Sequence, residues 1–344
     1  MNTYDLHGYL TIALDSEVAA YRRYFDNEYA RVHAMSSGTG TPKVRVTVHI
    51  VEALPAEQAG DLVHNIRFKK LFTFAYLVRG LRTDDVHLYF RRHPVDMLYV
   101  TAIGVFLQAQ VLEPILYYKL LEQDVVFMHA AAVTDGTQGS IFPAHGGTGK
   151  TTLSLRLADR GFQLLGDDLV IVDPARGLVH PHPRPLHLFN YNLKQMRDRK
   201  LPLSLKTVIH TKDVMRVGLE TALRTEFLIS TRAHVDEVMP EVRFGKTVPY
   251  KRIAFLTTRR PAETVVLDTE AKRADVARTI VESADLNGSL YQNVLTDPAE
   301  IAATKAREIA VVMKVLARLE SMRFVNPRAF TAGEFDTFAA GLRA

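Results

Sequence analysis

Ala144-His-Gly-Gly-Thr-Gly-Lys150-Thr-Thr152, followed by Gly166-Asp167-Asp168 with the first aspartate seventeen residues after the lysine, is the stretch whose reading decides the fold. A glycine-rich turn between a strand and a helix exposes consecutive backbone N–H groups, which cradle phosphate oxygens at the positive end of the helix. In such a loop Gly146, Gly147, Thr148 and Gly149 face the phosphates together with Thr152, Lys150 reaches the β and γ phosphates, and Thr151 offers its hydroxyl to Mg²⁺. The flanks agree with this: Gly139 to Ala144 predicts a short buried strand, and Leu153, Leu155, Leu157 and Ala158 predict a helix that stops near Gly161. The pattern G-x-x-x-x-G-K-[ST] is broken at its first position, where Ala144 stands for glycine; the anion is held mainly by N–H groups nearer the lysine.

The chain has 344 residues, enough for two domains or one large elaborated one. With 47% hydrophobic and 24% charged residues it has the composition of a folded globular protein. The absence of cysteine excludes disulfides, thiolate metal sites and a cysteine nucleophile. The N-terminal run MNTYDLHGYLTIALDSE lacks the basic region of a secretory signal, so a cytoplasmic location is expected. The most apolar stretch, Tyr99 to Leu121, is interrupted by Gln108, Gln110, Glu113 and Pro114, which predicts a buried or amphipathic helix and no membrane contact.

Net charge is +5, and the segment from Tyr191 to Arg224 alone holds eight basic residues against three acidic ones. Two readings stand: a solvated surface, or a segment that recognises an acidic or phosphorylated substrate. Nucleic acid is the weaker partner, because no reader motif accompanies the charge.

Residues 1–120 read as a mixed N-terminal domain, with strands at Val44 to Val51 and Val86 to Phe90 and a loop at Ser36 to Pro42. Residues 121–344 read as the second domain. It opens with a strand at Val125 to His129, and short strands recur at Arg252 to Thr257 and Thr264 to Leu267, before a mostly helical remainder. Asp297-Pro298-Ala299-Glu300 predicts a helix start with an aspartate cap and a glutamate reaching back. Ile309, Val312, Met313, Leu316 and Leu319 follow as a packing face.

Two adjacent carboxylates at a strand end can divide labour, one holding Mg²⁺ and the other facing an incoming nucleophile. The alternative is that Gly166-Asp167-Asp168 is only a turn, which burial of two neighbouring carboxylates makes costly unless cations or hydrogen bonds compensate.

Met128-His129, Gly147-Thr-Gly-Lys-Thr-Thr-Leu-Ser154 and Leu165-Gly-Asp-Asp168, in that order and spacing, resemble the core of the HPr kinase/phosphorylase and ATP-dependent phosphoenolpyruvate carboxykinase superfamily. The resemblance covers residues 125–172. It implies an α/β, mixed α+β fold: a P-loop kinase domain of the HPr kinase/carboxykinase type with a mixed N-terminal domain and a helical C-terminal region. It further implies that Lys150 and Thr151 bind ATP and Mg²⁺, with Mn²⁺ as an alternative, that Asp167 and Asp168 serve the metal and the acceptor hydroxyl, and that His129 belongs to the active site. The chain departs from the family at Ala144, at Gly146 where both family patterns have serine, and at His145, which contacts a phosphate or faces solvent. The Glu-x-Arg signature of HPr kinases is absent. His180-Pro-His-Pro-Arg-Pro-Leu-His187 occupies its region, with Arg184 the candidate phosphate or substrate contact.

The implied activity is transfer of the γ-phosphoryl group of ATP to a hydroxyl. By resemblance the acceptor is a serine or threonine of a protein or peptide, with a small-molecule alcohol as the alternative and a homo-oligomer as a possible assembly. The rival class is an ATP-binding regulator or scaffold without phosphotransfer.

Overall fold

The structure, a computed structural model, describes residues 1–36, 42–68, 72–92, 102–188, 203–224, 231–258, 262–284 and 290–343. The chain begins with the hairpin β1 (Asn2–Leu6) and β2 (Leu10–Asp15), then α1 (Ala19–Met35), and adds β3 (Val44–Val51), β4 (Leu62–Phe68), β5 (Phe72–Arg79) and β6 (Asp85–Arg91). These strands form one sheet in the order β1-β2-β3-β6-β5-β4. Strands β3 and β6 run parallel with Val46 opposite Val86 and Val48 opposite Leu88, so that the period-two alternation read in both segments buries one shared face. The expected loop at Ser36 to Pro42 falls largely outside the described residues.

The apolar stretch enters α2 (Glu113–Leu121) through a π-helical turn, Leu107–Leu112. Among the described residues no helix is long and apolar enough to cross a membrane. Next come β7 (Val126–Met128), β8 (Ala130–Thr134), β9 (Gly139–Pro143), α3 (Lys150–Ala158), β10 (Gln163–Gly166), β11 (Val170–Asp173), β12 (Leu178–His180) and β13 (Leu186–Leu188). The chain continues with α4 (Leu203–Leu223), β14 (Thr231–Ala233), α5 (Val235–Val238), β15 (Val248–Leu256), β16 (Glu263–Val266), α6 (Glu270–Ala284), α7 (Pro298–Leu316), β17 (Ser321–Val325) and α8 (Ala332–Gly341). The second sheet has nine strands, with the path β10-β8-β9-β15-β12-β11-β7, with β17 beside β15 and β16 beside β17. The protein is therefore a mixed α+β fold with two mixed sheets.

One buried apolar cluster extends from Tyr4 of β1 through Leu116 and Leu120 of α2 to Phe324 of β17. A second, around Phe142, Leu153, Leu157, Phe335 and Phe338, clamps α3 and α8 to the sheet. Each such side chain contributes on the order of 1.5–3 kcal/mol by leaving water.

The C-terminal part is mostly helical, as the sequence reading has it, with one added strand and one cap that differs. The stretch read as mostly helical contains β17, where Met322 and Phe324 alternate inward and the strand runs parallel to the end of β15. Asp297 caps α7 by accepting from the Ala299 N–H, but Glu300 does not reach back: Arg82 takes its carboxylate in a paired contact at 2.6 Å. Val312 and Leu316 are buried as the helical spacing requires, with Ile309 and Met313 packed against them at the edge of the core.

Candidate active site

Strands β9, β15 and β17 lie side by side and parallel, so their C-terminal ends open on one edge of the sheet. In such sheets ligands are received outside the carboxyl ends of the strands. The glycine-rich loop leaves β9 at this edge. Ala144 continues the sheet for one more residue through a bridge to Leu256, and its methyl group is fully buried in the cluster under α3. A side chain is accommodated where the motif has glycine because Ala144 still belongs to the strand.

The loop turns at Gly147 and Gly149, with φ of 74° and 108°, which a side chain would strain. Thr148 tightens the turn by donating its hydroxyl to the His145 carbonyl at 2.8 Å. Gly149 precedes α3 and offers no capping side chain, so the first N–H groups of the helix are left for an anion.

His129 is the one residue between β7 and β8, where the chain leaves the side of β11 to join β9. Its Nε2 lies 3.0 Å from Lys150 Nζ and 3.1 Å from Asp168 Oδ1. Lys150 also donates to the Ala144 carbonyl at 3.1 Å. Thr151 donates its hydroxyl to Asp167 Oδ2 at 2.7 Å. The two carboxylates are pushed apart in acidity. Burial drives Asp167 up to about 6 against the Thr151 hydrogen bond. Burial also acts on Asp168, but the His129 hydrogen bond and the charges of Lys150 and Arg184 outweigh it and hold the group well below the usual carboxylate range. The side chain of Asp168 is 46% exposed, which leaves it accessible to a reacting partner. Burial lowers the Lys150 ammonium, opposed by Asp168 and Asp167.

Gly166 permits this pairing at the end of β10. A Cβ there would fall 2.5 Å from the Leu169 carbonyl oxygen and 2.8 Å from Val170 Cγ1, both fixed parts of the turn that carries the aspartates.

Arg184 reaches the site from the Pro-His-Pro segment, which is pinned to β10 by the His182 N–H donating to the Leu165 carbonyl at 2.7 Å. It approaches Asp168 Oδ2 to 3.8 Å, but its closest partner is Glu113 at 2.7 Å, and Glu28 lies 3.5 Å away. The guanidinium is thus held from behind by buried carboxylates. Arg232 of β14 meets Glu28 at 2.7 Å and donates to the Tyr24 hydroxyl at 2.6 Å, while Gln108 donates to Glu28 at 3.0 Å. Burial pushes Glu113 up to about 7, against the pull of Arg184. Glu28, Gln108, Glu113 and Arg232 are absent from the sequence-derived site. Gln108 and Glu113 did carry a signal, as polar interruptions of an apolar stretch; Glu28 and Arg232 sit in segments whose sequence gives none.

The four loop residues 146–149, Lys150, Thr151, Asp167, Asp168 and His129 come together as expected, and Thr152 lies in the first turn of α3. Of the basic segment, residues 191–202, with Lys194, Arg197, Arg199 and Lys200, lie outside the described residues. Within α4, Arg216 is paired to Asp213 and Glu220 at 2.7 and 3.1 Å, which neutralises part of the charge. Compared with models of protein families and with curated proteins, the chain matches none.

Proposed function

We propose that the protein is an ATP-dependent kinase that transfers the γ-phosphoryl group to a hydroxyl. One observation carries this reading: Thr151 is hydrogen-bonded to Asp167 while Asp168, held by His129, faces the same cradle as Lys150. A loop that only bound nucleotide would need the lysine and threonine; a second, accessible carboxylate beside the cradle adds a group able to orient an acceptor hydroxyl.

The residues fit a magnesium ion. Among the described residues no group of three or more His, Cys, Asp or Glu side chains gathers for a metal. Mg²⁺ beside a triphosphate takes only one or two carboxylates, with phosphate oxygens and water completing its octahedron. Thr151, Asp167 and Asp168 supply that share, and Asp167 Oδ1 is buried without a hydrogen-bond partner in the protein. When bound, the ion neutralises charge on the β and γ phosphates. Mn²⁺ suits the same oxygen donors.

In this mechanism the loop N–H groups and Lys150 hold the triphosphate and offset the charge that builds on its oxygens. Asp168 orients the acceptor hydroxyl in line with the γ phosphorus and takes up its proton as the bond forms. Little proton transfer is needed before the phosphoryl group has largely left ADP, so a carboxylate of low basicity suffices. His129 keeps Asp168 in place. Arg184, anchored from behind by Glu113 and Glu28, is assigned to Asp168 rather than to phosphate. The acceptor favoured by family resemblance is a serine or threonine of a protein or peptide, with a small alcohol as the alternative.

Incubation of the protein with γ-labelled ATP, Mg²⁺ and fractionated cell lysate tests the reading. Label passing to a protein, peptide or metabolite as a phosphoester supports it. Stoichiometric ATP binding with all label retained in nucleotide would make the protein an ATP-binding regulator instead.

A further inference from the structure

The parallel strands β9, β15 and β17 deliver two segments to the same edge of the sheet: the phosphate loop from β9 and Asn326-Pro327-Arg328 from β17. The second segment is built rather than slack. Val325 pairs with Leu256, the Asn326 side chain accepts from the Arg328 N–H at 3.2 Å, and the Asn326 carbonyl accepts from the Ala329 N–H at 3.1 Å. Pro327 faces the loop so closely that a Cβ on Gly149 would lie 3.5 Å from its ring. From this frame Arg328 reaches across 181 residues of sequence and donates to the Gly147 carbonyl at 2.5 Å.

A peptide group is planar and trans, so its C=O and N–H point in opposite directions. Drawing the Gly147 carbonyl out toward Arg328 therefore turns the Thr148 N–H the other way. In a phosphate loop that inward N–H is one of the donors that receive the anion. The peptide concerned has Gly147 on its N-terminal side, and on that flank it lacks the Cβ restraint that opposes flipping. The Thr148 hydroxyl donates to the His145 carbonyl and not to that of Gly147.

We propose that Arg328 is a positioning residue of the nucleotide site, a latch that holds the Gly147–Thr148 peptide in its phosphate-receiving orientation before nucleotide arrives. The inference rests on the reading of the loop as a triphosphate cradle, although the latch itself is a property of the free protein. Its effect is preorganisation: the loop is ordered in advance rather than at the expense of binding. The same peptide serves ADP and ATP, so both depend on the latch equally.

The test uses full-length protein, Arg328→Gln, Arg328→Lys and Lys150→Ala. Hydrogen exchange of the peptide spanning residues 144–152 is followed without nucleotide, and MgADP and MgATP are titrated by calorimetry. Arg328→Gln is expected to speed loop exchange in the free protein and to weaken both nucleotides by a common factor of about ten, the scale of one charge-assisted hydrogen bond. Arg328→Lys, which keeps a donor and its charge, recovers part of both. Unchanged loop exchange overturns the latch, as does a loss confined to MgATP, which would make Arg328 a direct γ-phosphate ligand. Failure of the parent reading looks different: Lys150→Ala would then bind both nucleotides as well as the unaltered protein does, whatever Arg328 does to loop exchange.

Discussion

Lys150 Nζ and His129 Nε2 stand 3.0 Å apart, and the same Nε2 lies 3.1 Å from Asp168 Oδ1. One imidazole nitrogen cannot accept from the ammonium and donate to the carboxylate at once. Without nucleotide the lysine competes with Asp168 for His129. A triphosphate drawing Lys150 away leaves Nε2 free to donate to Asp168 and fix its direction. His129→Gln should accordingly leave MgATP affinity within about threefold and slow transfer about a hundredfold, the range of a lost positioned proton donor. Calorimetry and single-turnover label transfer separate the two quantities. A loss of affinity as large as the loss of rate would assign His129 to nucleotide binding.

Ala144 is a strand residue with a buried methyl group. Restoring the motif with Ala144→Gly should lower stability by about 1 kcal/mol, from lost burial and added backbone freedom, without tightening MgATP binding. Urea unfolding and nucleotide titration check this together. An improved affinity would mean that the methyl group obstructs the cradle.

The carboxyl groups behind Arg184 differ in their surroundings. Glu28 is fully buried between Arg184 and Arg232, whereas burial has already pushed Glu113 up to about 7. Arg232→Met should cost about 3–5 kcal/mol by stripping a close cation from a buried carboxylate. Glu113→Gln, which imitates the protonated acid, should cost less than about 1 kcal/mol near neutral pH. Denaturant midpoints decide, and the reverse order would contradict this account of the cluster.

His182 is buried with Nδ1 lacking a partner, its ring edge-on to Phe127 at 5.0 Å, and burial together with Arg184 holds its pKa well below the ordinary 6.5. The unfolded chain then binds a proton below pH 6.5 that the folded chain refuses, so this group contributes stability above that pH and the contribution is lost as pH falls. Glu113, raised by burial, acts in the opposite sense: its contribution is present at low pH and fades as pH rises from about 4.5 to 7. His182→Phe isolates the histidine. Between pH 6.5 and 5 the variant should lose less stability than the parent in urea unfolding. Parallel pH profiles would show that His182 takes up its proton equally in both states.

The local parts of the site were legible because their chemistry is written at short spacing. Glycines at 147 and 149 need left-handed backbone, Lys150 and Thr151 follow on one helical turn, and Gly166 permits the turn that carries two aspartates. Two of the six strands of the first sheet, β3 and β6, were legible from alternation at Val44 to Val51 and Val86 to Phe90. What was not legible depends on pairing between distant segments. Glu28 meets Arg232 across 204 residues, and Arg328 meets Gly147 across 181. Strand β17 is short, and only its place beside β15 makes Met322 and Phe324 core residues. Glu300 fits a capping box by sequence, but a bidentate guanidinium from Arg82 offers its carboxylate more than a single backbone N–H does.

The central claim, that one site binds nucleotide and transfers its γ-phosphoryl group, is tested most directly by comparing Lys150→Ala with Asp168→Asn in paired measurements of MgATP binding and label transfer to the acceptor fraction. Lys150→Ala should weaken binding and abolish transfer. Asp168→Asn should keep most of the binding and lose transfer by about a thousandfold or more. Transfer at the parental rate in both variants would contradict the account.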